Sequence, residues 1–252
     1  MKHAVLGASS SRRWLTCPGS VEANRSKDRS ASNPHAMLGV VAHALLETCL
    51  RLGTEPDKYI DAVLVKKHPP VDEDMADAVG FALDYINSYV ANNPGTKVLI
   101  EYRVHYGTEI GTTDELAFGT SDVLLCNHPK ELVCLDYKHG VGIGVSVKNN
   151  SQLQLYLLGR RKQMRKFGRY RRYRAVIVQP RLRGRKPVQE APVITDKALD
   201  DFATEVRKVV PIALGRNAPR KAGDHCRYCA ANGNCPEQYK LVLSAAKKEF
   251  AK

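Results

Sequence analysis

The sequence predicts an α/β core: a sheet of mostly antiparallel strands with helices before and after it. Three observations lead there. The hydrophobic period changes from helical to alternating near residue 97. Three β-type runs then follow one another, the last two joined by a tight turn. A long helical run finally separates these strands from one more apolar strand.

Residues 1–20 hold a short helix with Ser9 or Ser10 as its cap and Pro18-Gly19 after it. Residues 24–36 are polar and rich in Ser, Asn and Arg, the composition of a mobile loop. From Gly39 to Leu52 the residues Val40, Val41, Ala44, Leu45 and Leu46 mark a buried helix. A second helix spans Asp72 to Val90 and ends at Asn92-Asn93-Pro94-Gly95. Lys97 to Tyr106 alternates as a strand. Gly119-Thr120-Ser121 leads into a second strand at Asp122–Leu125, and Glu131 to Tyr137 is a third. Asn127-His128-Pro129 makes these two a hairpin. Asn150 to Lys166 reads as an amphipathic helix and Arg174 to Gln179 as a short apolar strand. Residues 181–192 are a basic, Pro-containing loop, Asp196 to Leu214 a helix, and the tail from Gly215 a cysteine-bearing segment with a charged final helix.

With 252 residues, 43% of them hydrophobic, one sizeable core is expected, hence a single domain. It divides into an N-terminal segment (1–38), a core (39–214) and a C-terminal cysteine region (215–252). The chain carries 39 Lys and Arg against 26 Asp and Glu, a formal charge of +13. That excess favours polyanions, nucleic acid above all. No run of about 18 apolar residues exists and the first residues lack a long apolar stretch, so a cytoplasmic protein is expected. In that reducing compartment the seven cysteines do not read as disulfides.

The chemistry centres on Asp136-Tyr137-Lys138 at the end of a strand. Residues i and i+2 share a face, so Asp136 and Lys138 project side by side. Asp122 lies on the neighbouring strand, and two converging carboxylates repel unless a cation lies between them. Mg²⁺ or Mn²⁺ meets that demand, and the Lys138 ammonium can neutralise charge on a phosphorane. Alone, the tripeptide reads first as a surface ion pair at a strand end. Gln152 and Tyr156, four apart on the following helix, and Gly39, His43 and Glu47, spaced by four upstream, complete an ordered set. Glu101 reads first as an outward-facing strand residue and second as an extra carboxylate.

This ordered series resembles the RecB-like branch of the PD-(D/E)xK nuclease superfamily. The matching residues are Gly39–His43, Asp122, Asp136–Lys138 and Gln152–Tyr156. The resemblance implies a restriction-endonuclease-like core, a central mixed sheet flanked by helices. It also implies metal-dependent phosphodiester hydrolysis by an activated water, most simply as a deoxyribonuclease of exonuclease type. His43, Asp122, Asp136 and the Tyr137 carbonyl would hold the metal, Lys138 would position or activate the water, and Gln152 and Tyr156 would support the geometry. The setting would be a bacterial or phage-infected cell, with a recombinase or helicase as partner. A non-catalytic nucleic-acid-binding subunit and a zinc-stabilised interaction protein are the alternatives.

Cys226, Cys229 and Cys235 form a compact trio for which Cys17, also followed by proline, is the best fourth ligand. Cys49, Cys126 and Cys134 read as core residues. One N-terminal cysteine with a C-terminal trio resembles the AddB kind of RecB-like nuclease and relatives serving CRISPR adaptation, which implies a [4Fe–4S] cluster. Zn²⁺ on the four sulfurs is the alternative. For DNA, the run Arg160, Arg161, Lys162, Arg165, Lys166, Arg169, Arg171, Arg172 and Arg174, with Phe167, Tyr170 and Tyr173 interleaved, offers phosphate contacts and stacking rings. It begins just after Tyr156 and is therefore expected beside the site. A second basic run, Arg181 to Lys186, lies in a loop that is free to meet DNA.

Overall fold

The computed structural model describes residues 4–25 and 34–250. Most of the expected polar loop at 24–36 lies outside them. The helices are α1 (Ser11–Thr16), α2 (Ser20–Ala23), α3 (Pro34–Leu52), α4 (Glu73–Asn92), α5 (Ser151–Met164), α6 (Asp196–Leu214) and α7 (Pro236–Phe250). The strands are β1 (Lys97–His105), β2 (Phe118–Asn127), β3 (Glu131–Tyr137), β4 (Arg172–Val178) and β5 (Val188–Glu190). They form one mixed five-stranded sheet in the order β1-β2-β3-β4-β5. The result is an α/β architecture with helices on both faces, consistent with a restriction-endonuclease-like core.

The expected hairpin joins β2 to β3 in antiparallel register from Val123↔Leu135 to Asn127↔Glu131. β3 and β4 run parallel, from Glu131↔Arg172 to Tyr137↔Val178. Parallel neighbours need a crossover, and α5 supplies it. β5 was hidden within the expected basic loop: it is a three-residue strand, antiparallel to β4, too short to show a period.

All seven residues of β3 are buried, because the sheet is covered on both faces. Leu132 and Cys134 face a cluster built with α5 and α6, whereas Val133, Leu135 and Tyr137 face one built with α3 and α4. This alternation delivers Asp136 to the α5 side. Cys49, Cys126 and Cys134 are core residues, as expected.

Two local expectations change. Ser10 precedes α1, but its hydroxyl donates to the Gly7 carbonyl instead of capping the helix. The helix α5 is not amphipathic. Leu153, Leu155, Tyr156, Leu157, Leu158 and Gly159 are consecutive or nearly so and all buried, because α5 is enclosed by the sheet, α1 and α6.

Arg161 explains how the far half of α5 tolerates enclosure. Only 5% exposed, it pairs with Asp196 at 3.1 Å, Asp200 at 2.6 Å and Glu109 at 3.6 Å. Arg161 therefore binds α5 to α6 and is not free to meet phosphate. Replacing it removes the cation that joins Asp196 and Asp200 to α5 and leaves Glu109, itself 7% exposed, with Arg165 alone as counter-charge. Arg161→Ala should lower unfolding stability by about 1–3 kcal/mol in a urea titration.

Candidate functional site

The β2–β3 ladder stops at Val123↔Leu135, one residue short of Asp122 and Asp136. Beyond that point the strands part. The Tyr137 N–H, with no β2 carbonyl to meet, donates to Asp122 Oδ2 at 2.7 Å. The carboxylate thus takes the place of a backbone acceptor, and Asp122 is fixed against β3. Asp136, 2% exposed, accepts from Lys138 Nζ and from Gln152 Nε2, both at 2.8 Å to Oδ1. Gln152 therefore contacts the carboxylate directly.

On the other side of Asp122 stands His43 of α3, its Nδ1 3.5 Å from Asp122 Oδ1 and 4.0 Å from Glu101 Oε1. The edge of the imidazole packs against the Tyr137 ring, with centroids 5.6 Å apart at 76°. Gly39, one turn earlier, has open space where a Cβ would stand, so no close contact requires glycine there.

Glu101 corrects the sequence reading. Strict alternation would turn it outward. Its backbone instead adopts the left-handed region, with φ of 46°, in the middle of β1. A non-glycine residue in that region is uncommon and strained. The β1–β2 register passes from Ile100↔Val123 to Tyr102↔Ser121 around it, so Glu101 sits opposite Asp122. The distortion brings its carboxylate inward. The ligand atoms of His43, Glu101 and Asp122 all lie within 4.8 Å of one another.

The electrostatics are those of crowded acids. Burial, then the charges of Asp122 and Glu47, push the Glu101 carboxyl up to about 7. Burial likewise raises Asp122 above the usual carboxylate range. Two half-buried carboxylates and an imidazole nitrogen are hard or borderline donors that suit Mg²⁺ or Mn²⁺, and a cation there relieves the repulsion. Burial opposes the charge of Lys138, but Asp136 and Asp122 outweigh it and hold its pKa above the ordinary lysine value. Lys138 is accordingly a cation in this arrangement.

Tyr156 is buried under β2, and a Cβ on Gly119 would come within 2.8 Å of its Oη. Gly119 thus makes room for the ring. Burial raises the phenol pKa further, so Tyr156 stays neutral.

Two residues that the sequence did not single out, His139 and Gln179, stand beside the site, with Arg181 of the second basic run against His139. His139 donates from Nδ1 to Tyr137 Oη at 2.9 Å and accepts from Arg181 Nη1 at 2.6 Å. Burial and the Arg181 cation push its pKa down to about 4, so it is neutral near pH 7. Gln179, 2% exposed, binds the backbone of the loop that follows His139. Neither His139 nor Gln179 carries a motif, because each acts through the end of β4 or the turn after β3.

The basic run lies elsewhere than expected. In the parallel register Arg172 pairs with Glu131 at the start of β3, about 17 Å along the strand from Asp136. The expectation followed sequence proximity to Tyr156, but α5 carries the chain about 18 Å from Gln152 to Met164. Arg165 and Arg172 are exposed but paired with Glu109 and Glu131, and Arg160 stacks on the Tyr102 ring. Lys166, Arg169 and Arg171 are exposed with no ion-pair partner among the described residues. Tyr170 and Tyr173 are core residues and cannot stack on bases, whereas Phe167 is exposed. The second basic run, at 181–186, leaves the end of β4 that carries Val178, the partner of Tyr137. It is this run that lies at the carboxylate end of the sheet.

Contacts with Lys221 and Asn24 bring Cys17, Cys226 and Cys229 together from both ends of the chain, and Cys235 directly precedes α7. Cys17 Sγ accepts from Lys221 N at 3.3 Å, and the Cys226 thiol faces the Lys221 carbonyl. Cys229 Sγ accepts from Asn24 Nδ2 at 3.3 Å, while Asn24 Oδ1 accepts from Ala230 N. Gly19 donates its N–H to the Pro219 carbonyl at 2.9 Å, an approach that a Cβ would obstruct. Among the described residues the acidic and histidine group above gathers its ligand atoms within 4.8 Å, and no cysteine belongs to such a group.

A family profile described as "Protein of unknown function (DUF2800)" matches residues 3–252. Among solved structures, the chain is similar to a protein from Eubacterium rectale titled "Putative exonuclease". The identity is 10% and the TM-score 0.47, over 83% of this chain and 79% of that one. It is also similar to the protein SSO0001, with 14% identity and a TM-score of 0.34 over 90% of this chain and 95% of that one. Likenesses this weak carry no weight for activity. No helix among the described residues is long and apolar enough to cross a membrane.

Proposed function

We propose that this chain, which belongs to the DUF2800 family, is a metal-dependent deoxyribonuclease of the PD-(D/E)xK type, acting from DNA ends. One observation carries the reading. Where β2 and β3 part, His43, Glu101 and Asp122 gather on one side and Asp136, Lys138 and Gln152 on the other. A surface ion pair would need none of the first group.

His43, Glu101 and Asp122 would hold the cation, with Asp136 and the Tyr137 carbonyl on its β3 side. When bound, Mg²⁺ or Mn²⁺ supplies Lewis acidity to the phosphate and its attacking water. The chain's own residues do the rest. Hydrolysis forms a bond from phosphorus to a water oxygen and breaks the bond to the leaving oxygen. Negative charge builds on the non-bridging oxygens as this happens. The Lys138 ammonium, already a cation and tethered to Asp136, is placed to offset that charge. Gln152 holds Asp136 from the α5 side and keeps the carboxylate from turning toward Lys138 alone. Tyr156, seated over Gly119, fixes α5 against β2.

The cysteines are read as ligands of a [4Fe–4S] cluster that closes the N-terminal segment onto the C-terminal region. Backbone and amide N–H groups already face Cys17 and Cys229, as thiolate ligands require. Zn²⁺ on the same four sulfurs is the alternative.

Asp136→Ala and Lys138→Ala should each reduce Mn²⁺-dependent digestion of end-labelled DNA by about 100-fold or more, with circular dichroism unchanged. Undiminished digestion by both variants would overturn the site. Anaerobically purified protein should be brown, with broad absorption near about 400 nm; a colourless protein with stoichiometric zinc would replace the cluster by Zn²⁺.

A further inference from the structure

We propose that residues 139–150 and 181–187 form a seat for single-stranded nucleic acid at the mouth of the candidate site. In that seat Val141 and Ile143 lie against unstacked bases, and Arg183, Arg185 and Lys186 lie against the phosphates. The inference deepens the nuclease reading by naming the form of substrate, and it rests on that reading only for what happens to the strand afterwards.

The first loop begins and ends at one carboxylate. Lys138 precedes it and Gln152 closely follows it, and both donate to Asp136 Oδ1. Whatever the loop holds is therefore held beside Asp136. The second loop leaves β4 at the same end of the sheet, because Tyr137 and Val178 are register partners. The two loops are sewn together. Arg181 Nη1 donates to His139 Nε2 at 2.6 Å, and Gln189 Nε2 of β5, just past the second loop, donates to the Val145 carbonyl at 3.0 Å. Gly144 lies so close to the second loop that a Cβ there would come within 2.7 Å of Arg185 Nη1.

Gln179 makes the first loop a fixed object. Its Nε2 donates to the carbonyls of Gly140 at 2.8 Å and Ile143 at 2.9 Å, and its Oε1 accepts from Val145 N at 3.1 Å. A buried amide that uses both ends on one loop holds its backbone in a single path. On that path Val141 and Ile143 are 51% and 42% exposed, although most large aliphatic side chains of the sheet are buried.

Beside these apolar groups, Arg183, Arg185 and Lys186 are exposed with no ion-pair partner among the described residues. An occupant must offer apolar faces and a regular series of negative charges. Duplex DNA offers the charges but keeps its base faces stacked and shows polar edges in its grooves. A single strand offers both.

The test is binding by the full chain in EDTA, read by fluorescence anisotropy with labelled oligo(dT) of about 20 nucleotides and a blunt duplex of equal length. Val141→Ser with Ile143→Ser should weaken oligo(dT) binding about three- to tenfold and leave duplex binding unchanged, which also reports an intact fold. Replacing Arg183, Arg185 and Lys186 with Ala should lower the slope of log affinity against log salt by about two for oligo(dT). Equal oligo(dT) affinity in wild type and the Val141/Ile143 variant would overturn the proposal, as would equal losses on both DNA forms. Because no metal or turnover enters, the seat is judged apart from the nuclease reading. An inactive protein with the expected binding pattern would sink the nuclease and keep the seat; an active one without that pattern would do the reverse.

Discussion

The site depends on one hydrogen bond, from the Tyr137 N–H to Asp122 Oδ2 at 2.7 Å. Two antiparallel strands that continued to pair would bring Asp122 and Asp136 face to face with no room between them. By accepting from Tyr137, Asp122 lets the strands separate without leaving a buried N–H unsatisfied. The same bond turns Oδ1 toward His43, 3.5 Å away. The local cost is concentrated in Glu101, whose left-handed backbone brings a third acidic group to the gap. Strain of this kind persists where surrounding structure fixes it, and β1 is paired to β2 on both sides of Glu101.

The sheet then sorts function by its two ends. The carboxylate end carries Asp122, Asp136, the 139–150 loop and the basic loop at 181–187. The opposite end carries Glu131 with Arg172 and Arg174, and beyond it the exposed Lys166, Arg169 and Arg171. Much of the chain's excess positive charge is thus spread over two places at least a strand length apart. Part of it is structural, as at Arg161, where a guanidinium among three carboxylates takes the role of a core contact.

The order of helices and strands was legible because the change of period and the 127–129 turn are local signals. Asp136 and Lys138 were legible for the same reason, since positions two apart on a strand share a face. Gln152 was legible as a member of an ordered set, and the structure brings it to Asp136. Glu101 was not, because one positive φ reverses the alternation from which its direction was read. Gln179 and His139 were hidden because their partners are loop carbonyls, a ring hydroxyl and an arginine, none of which leaves a pattern in sequence. The basic run lies at the opposite end of the sheet from the carboxylates because α5 carries the chain away from Gln152 before that run begins. The enclosure of α5 came from tertiary packing that the sequence period does not record.

The position of a bound cation tests the His43, Glu101 and Asp122 group most directly. Crystals soaked in Mn²⁺ and measured for anomalous scattering should show a peak within coordinating distance of His43 Nδ1, Glu101 and Asp122. That peak should vanish in Asp122→Asn crystals. A peak elsewhere, or none at this group in the wild-type protein, would contradict the account.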